Sequence, residues 1–156
     1  MKLQGPYKYE ISVQGKASYS VVGSNGITNF VDPVTKRKPK IYVFSDRGNI
    51  IYIGQTIQSM SARIRLGFKA SGAGGYWGYS WRNVLAKATL HIWCLEDAKD
   101  EKESEALECI ESEVVYSYRA TNNQWPKYQT EIHFHETTEE HRRLANEIIQ
   151  TINIDA

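Results

Sequence analysis

Residues 40–54 read Lys-Ile-Tyr-Val-Phe-Ser-Asp-Arg-Gly-Asn-Ile-Ile-Tyr-Ile-Gly. Two short apolar runs, Ile41 to Phe44 and Ile50 to Ile53, flank Ser-Asp-Arg-Gly-Asn, and Asp, Gly and Asn are residues that tolerate hairpin turns. The spacing predicts two antiparallel strands. With the register symmetric about Arg47, Tyr42 stands directly opposite Tyr52 and both phenols emerge on one face, while Ile41, Val43, Ile51 and Ile53 take the other.

Beyond Gly54, Ser59 is a candidate N-cap for a helix running to about Leu66 or Gly67, with Ile57, Met60 and Ile64 as its buried stripe. Arg63 falls at the border of that stripe and Arg65 on the solvent side. Such a border is also where an Arg ordinarily lays its stem on apolar neighbours and keeps its head in water. Residues 67–82 hold five of the eleven glycines and five large aromatics. That density excludes helix and predicts a long mobile loop, in which Tyr76 and Trp77 beside Lys69 and Arg82 suit base stacking or wedging. Trp81 fits equally well as the anchor of the loop on the core. On the other side of the central stretch, residues 23–40 form a loop of Gly, Asn, Asp, Pro and basic residues, which ends in Thr-Lys-Arg-Lys-Pro-Lys and could meet a phosphate backbone. Tyr7 to Val13 and Ser18 to Val22 read as a weak hairpin.

Ala88 to Leu95 reads as a third core strand, buried on much of both faces, with His91 as a strand histidine. An acidic run then leads into a helix from Glu103 to about Arg119, whose buried stripe is Leu107, Ile110, Val114, Val115 and Tyr118. Glu111 falls inside that apolar arc. A carboxylate there costs several kcal/mol unless it is paired or holds a metal, and a structural ion pair accounts for it as readily as a site does. In the tail, Glu131, His133 and His135 alternate on one strand face, a spacing that can ligate Zn2+ or Fe2+ and equally describes a half-exposed strand. Thr137 or Thr138 caps a last helix packed through Leu144, Ile148, Ile149 and Ile152.

At 156 residues, 41% apolar and 24% charged, the chain suits one domain with one core, from 1 to 156. Its first 15 residues alternate polar and apolar and no apolar run approaches a membrane span, so a soluble, cytoplasmic protein is expected. Cys94 and Cys109 lack metal-ligand spacing and read as buried thiols. Net charge is +1, but residues 1–95 carry 13 Lys and Arg against three acids, whereas residues 96–156 carry six against 15. Such asymmetry fits a basic surface that meets nucleic-acid phosphates, or two halves that neutralise each other in the fold.

Four elements in order resemble the GIY-YIG nuclease domain: Tyr42 on the first strand, Tyr52-Ile53-Gly54 on the second, Arg63 on the following helix, and Glu111-Ser-Glu-Val-Val leading to Asn123. The resemblance covers residues 40–123 as a nuclease core, with an N-terminal hairpin (1–39) and a C-terminal strand and helix (124–156) as additions. It implies an α/β (α+β) fold, a small central antiparallel sheet flanked by helices, and a metal-dependent DNA endonuclease. In that reading Glu111 holds Mg2+ or Mn2+, and Tyr52, its pKa lowered by neighbouring cations, accepts a proton from the attacking water. Tyr42 positions water or phosphate, Arg63 neutralises developing charge, and Asn123 orients Glu111. Arg65, Lys69, Tyr76, Trp77 and Arg82 are the candidate DNA contacts. The chain departs from the family pattern at Lys40, which replaces the first glycine, at Ala120, where a proline is usual, and at Gly67, where many members carry a His whose role His133 could supply or which falls to water or Lys69. Alternatives are a nucleic-acid-binding or regulatory protein of this fold without turnover, and a metal enzyme built on His133 and His135. DNA is the expected partner, with self-association into a homodimer left open.

Overall fold

The computed structural model of the chain describes residues 1–96, 102–129 and 136–155. Five strands, β1 (Lys2–Val13), β2 (Tyr19–Gly23), β3 (Lys40–Asp46), β4 (Asn49–Thr56) and β5 (Lys87–Glu96), form one antiparallel sheet in the order β2-β1-β5-β3-β4. Three helices complete an α+β fold: α1 (Met60–Lys69), α2 (Lys102–Asn122) and α3 (Glu139–Asp155). The N-terminal hairpin extends the sheet through β1, which pairs with β5. No helix among the described residues is long and apolar enough to cross a membrane.

The β3–β4 hairpin forms where the sequence places it, in another register. Its turn has two residues, Arg47 and Gly48, both at positive φ, as hairpin turns that match strand twist require. A bulge between Phe44 and Ser45 then gives β4 one extra residue, so Tyr42 pairs with Gly54 and Phe44 with Tyr52. Tyr42 and Tyr52 are therefore diagonal neighbours on one face, not the expected direct pair, with ring centroids 6.2 Å apart. The bulge also turns Ile51 to the tyrosine face, leaving Ile50 with Ile41, Val43 and Ile53 on the other.

Each sheet face has its own core. The first joins the rings of Tyr42, Phe44, Tyr52, Phe68, Tyr79 and Trp81 to Met60 and Ile64 of α1. The second packs Ile41, Val43, Ile53, Trp93 and Leu95 against Leu107, Ile110 and Val114 of α2 and Leu144 and Ile148 of α3. β5 lies between β1 and β3 and is buried on both sides, as its continuous apolar run predicts. There His91 faces the Ser45 hydroxyl at 3.1 Å, and burial, with Lys8 nearby, pushes its pKa down to about 4. Both cysteines are free and buried.

Ser59 caps α1, its hydroxyl accepting from the Ala62 amide. Ile57 precedes the cap and is 49% exposed, so it is not part of the stripe; Phe68 joins Met60 and Ile64 instead, because α1 continues through Gly67 to Lys69. At α3, the Thr138 hydroxyl accepts from the His141 amide and the His141 imidazole accepts from the Thr138 amide, a reciprocal cap. The outer edge of β4 is closed by the segment after α2. The Tyr128 amide donates to the Ile51 carbonyl, and the Gln129 side chain bonds both the amide and the carbonyl of Ile53.

Candidate active site

Tyr42 projects from β3 across the strand beside it, and Gly54 is what lets it do so. A Cβ on Gly54 would lie 2.9 Å from the Tyr42 Cε1 and closer still to its Cζ and hydroxyl. The glycine that closes the Tyr52-Ile53-Gly54 run therefore serves the opposite phenol rather than its own strand.

Arg63, at the border of the α1 stripe, turns inward. Its Nε donates to the Tyr42 hydroxyl at 2.9 Å, and its guanidinium lies over the Tyr76 ring, 5.4 Å from the centroid. No carboxylate among the described residues forms a salt bridge with it, and Nη1 and Nη2 have no hydrogen-bond partner there. Burial works against its charge, but the phenols of Tyr42, Tyr79 and Tyr76 favour it, and Arg63 is cationic.

Tyr79 is a member of this cluster that pattern reading overlooks. It is fully buried, and its hydroxyl donates to the Tyr42 hydroxyl at 2.9 Å. The signal for it is Gly67: a Cβ there would meet the Tyr79 ring, with Cζ at 2.6 Å and other ring atoms nearer. Tyr52 packs edge-on against Tyr79 at 5.2 Å, and its hydroxyl makes no hydrogen bond to the described residues. Burial pushes the pKa of both Tyr42 and Tyr52 well up; for Tyr52 the neighbouring Tyr42 and Glu111 add to this and only Arg63 opposes it. The expectation that nearby cations lower the Tyr52 pKa is therefore corrected. One guanidinium does not offset desolvation of the ring.

Glu111 enters from α2, which packs over the edge strand β4. It is 7% exposed and has no hydrogen-bond or ion-pair partner among the described residues, although Arg63 is in electrostatic reach. Burial pushes its carboxyl up to about 8, with Arg63 pulling down and Glu108 pushing further. The structural ion pair that would have explained it is absent among the described residues. No group of three or more His, Cys, Asp and Glu suited to a metal occurs there either. One buried carboxylate, unpartnered among the described residues, fits Mg2+ or Mn2+, which use one or two carboxylates and keep several waters.

Lys40, in place of the family's glycine, points away from this chemistry. Its buried ammonium donates to the carbonyls of Lys36 at 2.5 Å, Lys38 at 2.8 Å and Gln58 at 2.7 Å, filling all three donors and tying the basic loop to the entry of α1. Burial lowers its pKa to about 8.

The remaining candidates are scattered. Arg65 and Lys69 are exposed on α1, and Lys69 lines with Arg63 and Tyr76 a cleft of about 370 Å3. Trp77 is 64% exposed, whereas Trp81 is buried as a loop anchor. Arg82 turns its guanidinium to the carbonyls of Gly67, Ala70, Tyr79 and Trp77, so it ties the base of the loop. Asn123 follows α2 at positive φ, exposed, its amide bonding the Arg119 carbonyl as a helix cap does. It lies roughly 18 Å along the helix axis from Glu111, so the structure does not bring it to the carboxylate it was expected to orient. Gln129, holding the Ile53 backbone beside Tyr52, is the supporting amide the structure places near the site. Glu131, His133 and His135 lie outside the described residues.

Comparison of the chain with protein-family models, with curated proteins and with solved structures finds no match.

Proposed function

We propose that the chain is a metal-dependent DNA endonuclease with a site of the GIY-YIG kind. One observation carries this reading: β3, β4, α1 and α2 bring Tyr42, Tyr52, Arg63 and Glu111 together, and Glu111 is buried there without a hydrogen-bond or ion-pair partner among the described residues. A buried carboxyl with a pKa near 8 beside a cation with two free donors is costly as architecture and useful as a binding site for a phosphodiester and a divalent ion.

Phosphodiester hydrolysis adds a water oxygen to phosphorus and breaks the bond to the leaving oxygen, so the site must take a proton, balance extra negative charge and hold the phosphate in line. Arg63 presents Nη1 and Nη2 to the non-bridging oxygens, its Nε already fixed by Tyr42. Glu111 would hold Mg2+, which when bound supplies positive charge at the phosphate and lowers the cost of ionising a neighbouring phenol. Tyr52, whose hydroxyl has no hydrogen-bond partner among the described residues, takes the proton of the attacking water. Lys69 and Arg65 on the exposed side of α1, with Trp77 on the loop, meet the DNA flanking the cut, as a basic and aromatic surface does.

Incubation of supercoiled plasmid with the protein and Mg2+ or Mn2+, repeated with EDTA, tests the proposal. Nicking that EDTA abolishes is the expected result. The upward-shifted phenols favour a second reading, a DNA-binding protein without turnover, for which DNA is retarded in a gel but stays intact.

The two phenols are expected to differ. Tyr52→Phe removes the proton acceptor and keeps the ring packing, so turnover falls by about 10² to 10⁴, the range typical of a lost general base. Tyr42→Phe loses less. Single-turnover rates on a defined duplex check both, and an unchanged Tyr52→Phe rate removes the phenol from proton transfer.

A further inference from the structure

We propose that Tyr79 is a positioning residue of the site, whose hydroxyl, bonded to that of Tyr42, fixes the phenol oxygen that holds Arg63 Nε and so aims the outer nitrogens of Arg63 at an oxygen of the bound phosphate. The inference rests on the nuclease reading for the nature of that oxygen. The hydrogen-bond arithmetic does not. A phenol oxygen has two acceptor positions and one proton. Both acceptor positions of Tyr42 are taken, by Arg63 Nε at 2.9 Å and by the Tyr79 hydroxyl at 2.9 Å. Tyr42 is itself fully buried, so its hydroxyl acts on the site through Arg63, whose Nη1 and Nη2 have no hydrogen-bond partner among the described residues. The two outer nitrogens of a guanidinium fixed in this way match a phosphodiester's non-bridging oxygens.

Packing alone does not account for the hydroxyl of Tyr79. Its ring sits among Phe44 at 4.9 Å, Tyr52 at 5.2 Å and Phe68 at 6.2 Å, where a Phe would fill the same volume without burying a polar group. The chain also makes special room for it. Gly67 leaves the ring its space on α1. Gly78, at φ 66, lets the loop backbone press against that same helix turn, where a Cβ would stand 2.9 Å from Ala70 Cβ and nearer still to the Gly67 carbonyl. The Tyr79 amide donates to the Gly67 carbonyl at 3.3 Å, and Arg82 donates to the carbonyls of Gly67 and Tyr79. A phenol carried in by the loop thus occupies the place where a side chain of α1 would otherwise stand.

Tyr79→Phe tests this. The expected result is a turnover about tenfold lower with KM unchanged, together with a displaced 13Cζ resonance of Tyr42 in tyrosine-labelled protein, the signal being assigned through Tyr42→Phe. Wild-type turnover with an unmoved Tyr42 signal overturns the proposal and leaves the nuclease reading standing. A turnover loss that only tracks a lower melting temperature, again with an unmoved Tyr42 signal, overturns it in favour of packing. If the wild-type protein cuts no DNA with either metal but Tyr79→Phe still moves the Tyr42 signal, the pairing is upheld, and its assignment to a phosphate is overturned with the nuclease reading.

Discussion

Glu111→Gln is expected to abolish cleavage, leave DNA binding in place and make the metal-free protein more stable above neutral pH. All three follow from one buried carboxyl. The amide keeps the shape of the side chain and loses the charge that would hold Mg2+, so turnover goes while the basic face of α1 is untouched. The stability effect follows from proton linkage. Glu111 has its folded pKa raised to about 8 from an unfolded value of 4.5, so between those pH values the folded chain keeps a proton that the unfolded chain has lost. Stability therefore falls as pH rises through that window, and above it the folded state bears the full cost of a buried, unpaired charge, on the order of a few kcal/mol. Gln cannot ionise, so this fall should be missing from the variant, while the pH dependence contributed by His91 and Lys40 is common to both proteins. Urea titrations of both proteins from pH 5 to 9 check this. Because the carboxyl must lose its proton to hold a cation, Mg2+ affinity of the wild type should rise by up to about tenfold per pH unit below 8 and level off above it, as calorimetry in buffers of different ionisation enthalpy would show. Unaltered cleavage by Glu111→Gln would exclude the residue from the mechanism.

Gly67→Ala should be among the most destabilising single-methyl additions in the molecule. In an exposed helix interior the same change stabilises by about 1 kcal/mol, because alanine is the better helix former. Here the added Cβ overlaps the edge of the Tyr79 ring, 2.6 Å from Cζ, and the ring is fully buried among Phe44, Tyr52 and Phe68. Overpacking of this kind costs typically 1 to 3 kcal/mol and occasionally more, so its sign wins and the melting temperature should drop by about 5 °C or more. Cleavage should fall with it, because a displaced Tyr79 releases Tyr42. Tyr79→Leu in the Gly67→Ala background should regain most of the stability and little of the activity. A strongly non-additive double-mutant cycle is the signature sought, and additive losses would show that the two residues do not share the space.

The hairpin at residues 40–54, the capped α1, the buried strand β5, the amphipathic α2 and the final helix were all legible in the sequence. Each rests on local periodicity and on cap or turn chemistry, which act over a few residues. The same locality explains why Tyr42, Tyr52, Arg63 and Glu111 could be singled out, since each breaks or borders its own element's pattern: Glu111 as an acid in an apolar arc, Arg63 at a stripe's edge, and the tyrosines on one strand face. Register was not legible. The two-residue turn and the bulge at Phe44 each moved the pairing by one residue in sum, and the bulge sent Ile51 to the other face, because one inserted residue changes every pair beyond it and leaves no trace in composition. Asn123 was misjudged for a related reason, since a spacing of twelve residues spans a helix end in space however well it fits a motif. Only the tertiary structure decided what Gly54 and Gly67 are for. Their missing side chains are occupied by Tyr42 and Tyr79, which come from other elements, so an absence on one segment acquired its meaning from a ring on another.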